Sequence, residues 1–377
     1  MRLRLYRVLV CALLAVFGPV GLVIGADPEE PQPHPRAMRY VQRAVAYCPD
    51  STFRLRDNTR YETAQGSYRF VSIERSCAIK FLSEQPTALI DEDADAIWIG
   101  SVGELPSEGL GRDVETMKRF LSGFLPEAMR ANMNMRVKVE WDSTPRKPGA
   151  VLPLSLLVET GYGTVRHPAG VTADGRYLVL GAEASLKADP VDARRRLLAG
   201  SDLVIWDSDG GGRPSVEIVE FSDLECPACR SKWSLVEKVL ESKAGTVRHG
   251  MVSYPLTTIH PWSFRAASAS WCIAEQDPQK LIPFKETFYA LQRDMSVSEV
   301  TPTSVDFVAG HNLDEAGFLA CYLRDDSIAA VHRQMALGNA LGVRATPTYF
   351  VNGWMVQVPD NPWFSDLVDA LARGEEP

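Results

Sequence analysis

Two cysteines three positions apart, Cys226 and Cys229, stand where a β-branched run, Val216 to Phe221, gives way to a helical pattern. Thiols at that spacing reach each other across one turn and can exchange with a disulfide. If they open a helix, its N-terminal dipole stabilises the first as a thiolate. Arg230 and Lys232 add positive charge close by, and Glu220 lies six residues before Cys226 on the strand. From there it can sit beneath the second thiol, where a partly buried carboxylate serves as a general base. The duller alternatives are an inert structural disulfide and a solvated strand glutamate. Other chemistries fit less well. A c-type haem needs histidine where Arg230 stands. A zinc ribbon needs a second close cysteine pair. Asp91, Asp93 and Asp95 echo a calcium loop, but Ala96 and Val102 occupy its glycine and terminal glutamate positions, so an acidic surface turn is expected. Gly161-Tyr-Gly163 lacks the third glycine of a dinucleotide loop and reads as a turn. No metal or other cofactor is expected.

The dithiol must be held by the elements around it. The Val216 strand precedes it, and Trp233, Val236 and Leu240 continue the helix after it. Thr246 to Pro255 reads as the next strand, His260 to Leu341 as a long helical section, Ala345 to Asn352 as a strand ending in a turn, and Pro362 to Ala372 as a closing helix. Earlier, Arg36 to Tyr47 and Asp113 to Met129 have helical spacing. Tyr68 to Ile73, Ala96 to Gly100, Arg136 to Trp141 and Leu152 to Val158 read as strands. Val171 to Leu180 reads as a hairpin about Asp174-Gly175, and Val191 to Ala199 as a short helix. Asp207 to Pro214 combines glycines, acids and a proline, as a linker does. The layout expected is therefore a leader at 1–26, an α+β domain at 27–206, a linker at 207–214 and an α/β domain at 215–377.

The leader is marked by Arg2, Arg4 and Arg7, the apolar run Val8 to Ile24, and the small residues Gly25 and Ala26. An uncleaved membrane anchor is the alternative, although the run is short for a span. Without the leader's three arginines the chain has 37 basic against 48 acidic side chains, a net charge of −11, which argues against nucleic acid as a partner. Export implies a compartment where disulfides persist. Six cysteines remain after the leader, an even number that permits full pairing without giving the connectivity.

Residues 215 to 373 resemble the DsbA-type branch of the thioredoxin superfamily. The resemblance is carried by the strand Val216–Phe221, by Cys226-Pro-Ala-Cys229, by the helical insertion, and by Ala345-Thr346-Pro347 before Tyr349 to Gly353. It implies an α/β thioredoxin-like fold with a helical insertion, behind an α+β accessory domain. Cys226 is then the exposed nucleophile with a lowered pKa, Cys229 the resolving thiol, and Glu220 the buried acid that shuttles a proton. Thr346 and Pro347 form the cis-proline loop that binds an extended substrate chain. The implied function is an exported, periplasmic thiol–disulfide oxidoreductase or isomerase, with protein thiols as substrates and a membrane or soluble redox partner. Ala228 in place of a histidine, and Thr346 before the proline, resemble the isomerases DsbC and DsbG more than the strong oxidase. The resemblance further implies a structural disulfide between Cys272 and Cys321, with two buried free thiols as the alternative. Cys48 and Cys77 are a candidate pair in the first domain, and their pairing is left open by the sequence. His260 matches a family position, with a structural role the commoner one. Val171–Leu180 loosely resembles the end of the accessory domain of DsbC and DsbG. That implies a homodimer through the N-terminal domain, against which its greater length weighs. A non-catalytic thioredoxin-fold binding module and a reductase serving one client are the rival functions.

Overall fold

The computed structural model describes residues 35–77, 86–105, 113–133, 136–142, 149–207, 214–357 and 363–377. The leader at 1–26 and most of the linker at 207–214 fall outside them. The chain separates into two compact units, 1–189 and 190–377.

The N-terminal unit is a sheet with helices. α1 (Pro35–Ala44) is followed by the strands β1 (Thr52–Thr63), β2 (Gly66–Ser76), β3 (Thr87–Asp91) and β4 (Ala96–Glu104). Then come α2 (Val114–Met133), β5 (Val137–Trp141), β6 (Val151–Thr160), β7 (Gly163–Thr172), β8 (Tyr177–Leu180) and β9 (Glu183–Ser185). The strand order is β1-β2-β3-β4-β8-β7-β6-β5, with β9 also pairing β4. Every pairing in this sheet is antiparallel. Apolar residues at helical spacing account for the packing. Met117, Leu121 and Leu125 of α2 bury against Leu154, Leu156, Val171 and Leu178. Ala37, Tyr40 and Val41 of α1 bury against Val71, Ile73 and Ile90. The expected hairpin turns about Asp174-Gly175, where Gly175 takes a φ of +73° that suits glycine. β1, β3, β9 and most of β7 went unread in the sequence. β1 lies at the sheet edge and alternates only between exposed and half-buried residues, so its polar composition hides it. β3 is five residues long and almost wholly buried, with no alternation to see. The Asp91–Asp95 segment is a turn, but Asp91 is buried rather than at the surface. Its carboxylate accepts the N–H groups of Asp93, Ala94 and Val151.

The C-terminal unit begins earlier than composition suggested. α3 (Pro190–Ala199) and β10 (Ile205–Trp206) both belong to it. β10 pairs with β12 (Val247–Ser253). A side chain at Gly250 of β12 would meet Trp206 and Val204 at 2.8 Å. α3 packs against the turn at Gly353, whose φ is +87° and where a Cβ would lie 2.1 Å from the Val191 carbonyl oxygen. These are long-range contacts, which a composition-based boundary at 206 does not register.

The remaining elements are β11 (Val216–Ser222), α4 (Pro227–Ser242), and, after β12, α5 (Ser263–Gln276), α6 (Leu281–Leu291), α7 (Val300–Gly310), α8 (Glu315–Tyr322) and α9 (Asp325–Ala340). β13 (Thr348–Val351), β14 (Trp354–Val356) and α10 (Trp363–Ala372) close the chain. The sheet order is β10-β12-β11-β13-β14. β11 and β12 run parallel through the α4 crossover, and β13 returns antiparallel to β11. This is a thioredoxin-like α/β fold with α5–α9 inserted between β12 and β13. Asn352 ties the β13–β14 turn to β11, its amide oxygen accepting from Glu217 N and its amide nitrogen donating to Ser215 O. No helix of the described residues is long and apolar enough to cross a membrane.

Two disulfides are formed among the described residues, Cys48–Cys77 and Cys272–Cys321. The second joins α5 to α8 across 49 positions. Replacing both of its cysteines by alanine is expected to cost about 4 kcal/mol through the freedom restored to the unfolded chain. The measurement is the urea midpoint at pH 7, and an unmoved midpoint would refute it.

Candidate functional site

β11 runs through the middle of its sheet, with β12 on one side and β13 on the other. Its residues are buried on both faces apart from Glu217, as befits a central strand. It delivers the turn Asp223-Leu224-Glu225, and Cys226 follows as the N-cap of α4 with Pro227 at the first helical position. Proline suits that position because its missing N–H would have had no helical partner. The turn is pinned from several sides. The Asp223 carbonyl accepts the Cys226 N–H, and its carboxylate accepts from Glu225 N, Leu256 N and His260 Nδ1, at 2.7 to 2.8 Å. From beyond α6, the Gln292 amide donates to the carbonyls of Leu224 (2.8 Å) and Cys226 (3.1 Å).

Cys226 and Cys229 are both free thiols here. The Cys226 sulfur donates to the Thr346 carbonyl at 3.4 Å, and Thr346–Pro347 is a cis peptide. Residues 120 positions apart are thus brought into contact. One expectation is corrected. Cys226 is not an exposed thiol but 1 % exposed, because the Thr346 loop lies over it, while the intervening Pro227 and Ala228 are open to solvent. The two thiols are strongly asymmetric. Hydrogen bonding from Cys229, with help from the Thr346 side chain rather than its carbonyl, outweighs burial and pulls Cys226 down to about 6. Burial, and then the neighbouring Cys226, push Cys229 well above the ordinary thiol value, and the Glu220 charge adds to this. Arg230 and Lys232, the cations expected from the sequence, are not among the leading causes of the Cys226 shift.

Glu220 is completely buried, which removes the solvated alternative. It lies between Met251 of β12 and Tyr349 of β13 in register. Its Oε2 pairs with Lys285 Nζ at 2.6 Å and His249 Nε2 at 3.4 Å. Burial alone would raise this carboxyl, but Lys285 and His249 outweigh it and hold it at about 2. His249 in turn sits 2.7 Å from Asp207. Burial would lower the imidazole, yet Asp207 and Glu220 raise it to about 9. The Lys285 ammonium also lies 3.5 Å from the centre of the Trp233 ring, a favourable place for a desolvated cation. The result is an alternating buried chain, Asp207, His249, Glu220, Lys285, in which each charge has an opposite neighbour. Sequence reading found only Glu220 of the four. The one legible signal was Lys285, which interrupts the apolar stripe Leu281, Phe284 and Phe288 of α6. A lysine on such a face needs a buried partner.

A thioredoxin family model matches residues 210–370. That match falls on the thioredoxin-like fold described above. Among solved structures, the chain is similar to Wolbachia pipientis alpha-DsbA1 (18% identity, TM-score 0.42, covering 48% of this chain and 96% of that one). It is also similar to oxidised BdbD from Bacillus subtilis (22% identity, TM-score 0.39, covering 43% and 90%). Curated relatives include the Na(+)/H(+) antiporter NhaA 1 of Mycolicibacterium gilvum, 28% identical over 169 residues, which is 43% of this chain and 26% of that protein. NhaA 3 of Salinispora tropica is 26% identical over 174 residues. The chain spans about a quarter of the length of these curated relatives.

Proposed function

We propose that the chain is an exported thiol–disulfide oxidoreductase acting on protein cysteines, with no bound cofactor. The observation that carries the reading is the unequal pair of thiols at the start of α4. Cys226 is pulled down to about 6 and faces the Thr346-Pro347 loop, while Cys229 is held protonated behind it. In the proposed reaction the Cys226 thiolate attacks a substrate disulfide. A bond forms between its sulfur and one substrate sulfur, and the other leaves as a thiolate. Consuming the Cys226 charge removes one of the causes that raise Cys229. Cys229 then loses its proton and attacks the Cys226 sulfur, which forms the Cys226–Cys229 disulfide and frees the second substrate thiolate. Substrate oxidation is the same path reversed.

Glu220 is the proposed proton acceptor. Its ion pairs keep it in the basic form, and Oε1 is left without a hydrogen-bond partner. The same pairs make it a weak base, so it carries the proton only in passing. Thr346 and Pro347 are proposed to hold the substrate backbone, with the substrate displacing the contact from Cys226 to the Thr346 carbonyl. Two disulfides already formed in the chain suit an oxidising, periplasmic setting.

The burial of Cys226 favours a second reading, a thioredoxin-fold binding module whose dithiol does no exchange. Insulin reduction and the refolding of scrambled ribonuclease, with wild type and Cys226→Ser, separate the two. Loss of turnover in the variant is expected. Equal rates in both proteins would leave the binding module standing. The balance of the two assays also tells a reductase for one client from an isomerase.

A further inference from the structure

Asp223 raises a problem that the rest of the site does not solve. It is 2 % exposed, and its side chain fastens the turn before Cys226 to the segment at Leu256. The fold needs this carboxylate for those backbone N–H groups, yet its negative charge opposes a thiolate on Cys226. A buried carboxylate beside a reactive thiolate calls for a positive group within reach of both. The candidate is His260. It lies on the segment between β12 and α5, where its N–H bonds to the Leu256 carbonyl and fixes its backbone. Its Nδ1 is 2.7 Å from Asp223 Oδ2, the same oxygen that accepts Leu256 N.

We propose that the His260 imidazolium, aimed by Asp223, is the counter-charge that stabilises the Cys226 thiolate. His260 thus positions charge for the exchange reaction, and the inference rests on Cys226 being the reacting thiol. The charged groups that act on the imidazole are Asp223 and Glu225 on the turn and Cys226 at the start of α4. Burial would lower the imidazole, but the Asp223 bond and then the Asp223, Cys226 and Glu225 charges raise it. Glu225 accepts Trp262 N at 2.7 Å, and burial pushes its carboxyl up to about 7. It therefore brings less negative charge to the imidazolium than an ordinary carboxylate would. The imidazole that Ala228 cannot provide between the two cysteines is supplied from a segment more than thirty residues away in sequence.

The test is the pH dependence of Cys226 alkylation by iodoacetamide in the reduced, purified protein, with a wild-type midpoint below that of an ordinary thiol. His260→Gln is expected to raise that midpoint by about one unit, whereas His260→Lys, which keeps a positive charge, is expected to leave it near the wild-type position. A midpoint in His260→Gln equal to the wild type would overturn the proposal. A second measurement needs no variant. Coupling is reciprocal, so the wild-type His260 ring must titrate higher in the reduced than in the oxidised protein, by the same shift. Proton NMR of the His260 ring in the two redox forms reads this directly, and identical titrations would overturn the proposal even if His260→Gln failed to fold. Insulin turnover is scored separately: activity equal in Cys226→Ser and wild type would remove the functional reading, while the two titrations judge His260 alone.

Discussion

Lys285→Met is expected to destabilise the C-terminal unit by about 3 kcal/mol or more at neutral pH, because it leaves Glu220 buried with half its compensation gone. Neither side chain of the Lys285–Glu220 pair is more than 1% exposed, and the contact is 2.6 Å. Water therefore cannot replace the lost partner. His249, at 3.4 Å, is the cation that remains. The pH dependence follows from the direction of the Glu220 shift. Its folded value, about 2, lies below the ordinary 4.5 of an unfolded chain. The stabilisation is fully present above about 4.5 and is lost as pH falls towards 2. The gap in stability between wild type and variant should therefore close across that window. Urea unfolding at pH 7 and at pH 3 measures it. A constant gap would assign the loss to the packing of Lys285 over Trp233 instead. Glu220→Gln combined with Lys285→Met should recover part of the loss, since no unpaired charge is then left inside.

Cys229→Ser is expected to leave the first chemical step in place and stop the second. Cys226 would still attack a substrate disulfide, but the serine hydroxyl cannot displace the substrate from it. Release would then wait for an external thiol. Losing the intramolecular attack should slow resolution on the order of 10³-fold or more, given the effective concentration of a neighbouring group. The trapped species is a covalent adduct that non-reducing electrophoresis resolves and mass spectrometry identifies, and dithiothreitol should release it. Multiple-turnover insulin reduction should fall to background in the same variant. Rapid turnover without a trapped adduct would mean that Cys229 is not the resolving thiol. Serine is smaller than cysteine, so it fits the buried position of Cys229 without steric strain.

What could be read from the chain alone was what neighbours in sequence decide. A β-branched run, a Cys-x-x-Cys and a helical stripe follow one another, so β11, the N-cap at Cys226 and α4 were all legible. The Asp174-Gly175 hairpin was legible for the same reason, since its conformation is set within four residues. Glu220 was legible from its place on the strand, and Thr346-Pro347 as part of a family pattern. Their surroundings were not. The partners of Glu220 come from β12 and from α6, with Lys285 65 positions away. Asp207, which holds His249, lies 42 positions before it, in what composition marked as a linker. Periodicity reports which face of an element is apolar, but not which elements the fold brings against that face. Gln292 and His260 are further examples: each reaches the Cys226 turn from the far side of a connection that only the tertiary structure closes.

The dithiol itself shows the same division. Its position, spacing and helix-capping role were determined by the sequence, because one turn of backbone holds both cysteines. Its burial and the gap between its two thiols were decided by the fold, which lays the Thr346 carbonyl over Cys226 and drives Cys229 into the apolar interior beside an ionised Glu220. A thiol's acidity depends on the charges and solvent within a few ångströms of it, and those belong to β13, β12 and α6 rather than to the segment that carries the cysteines.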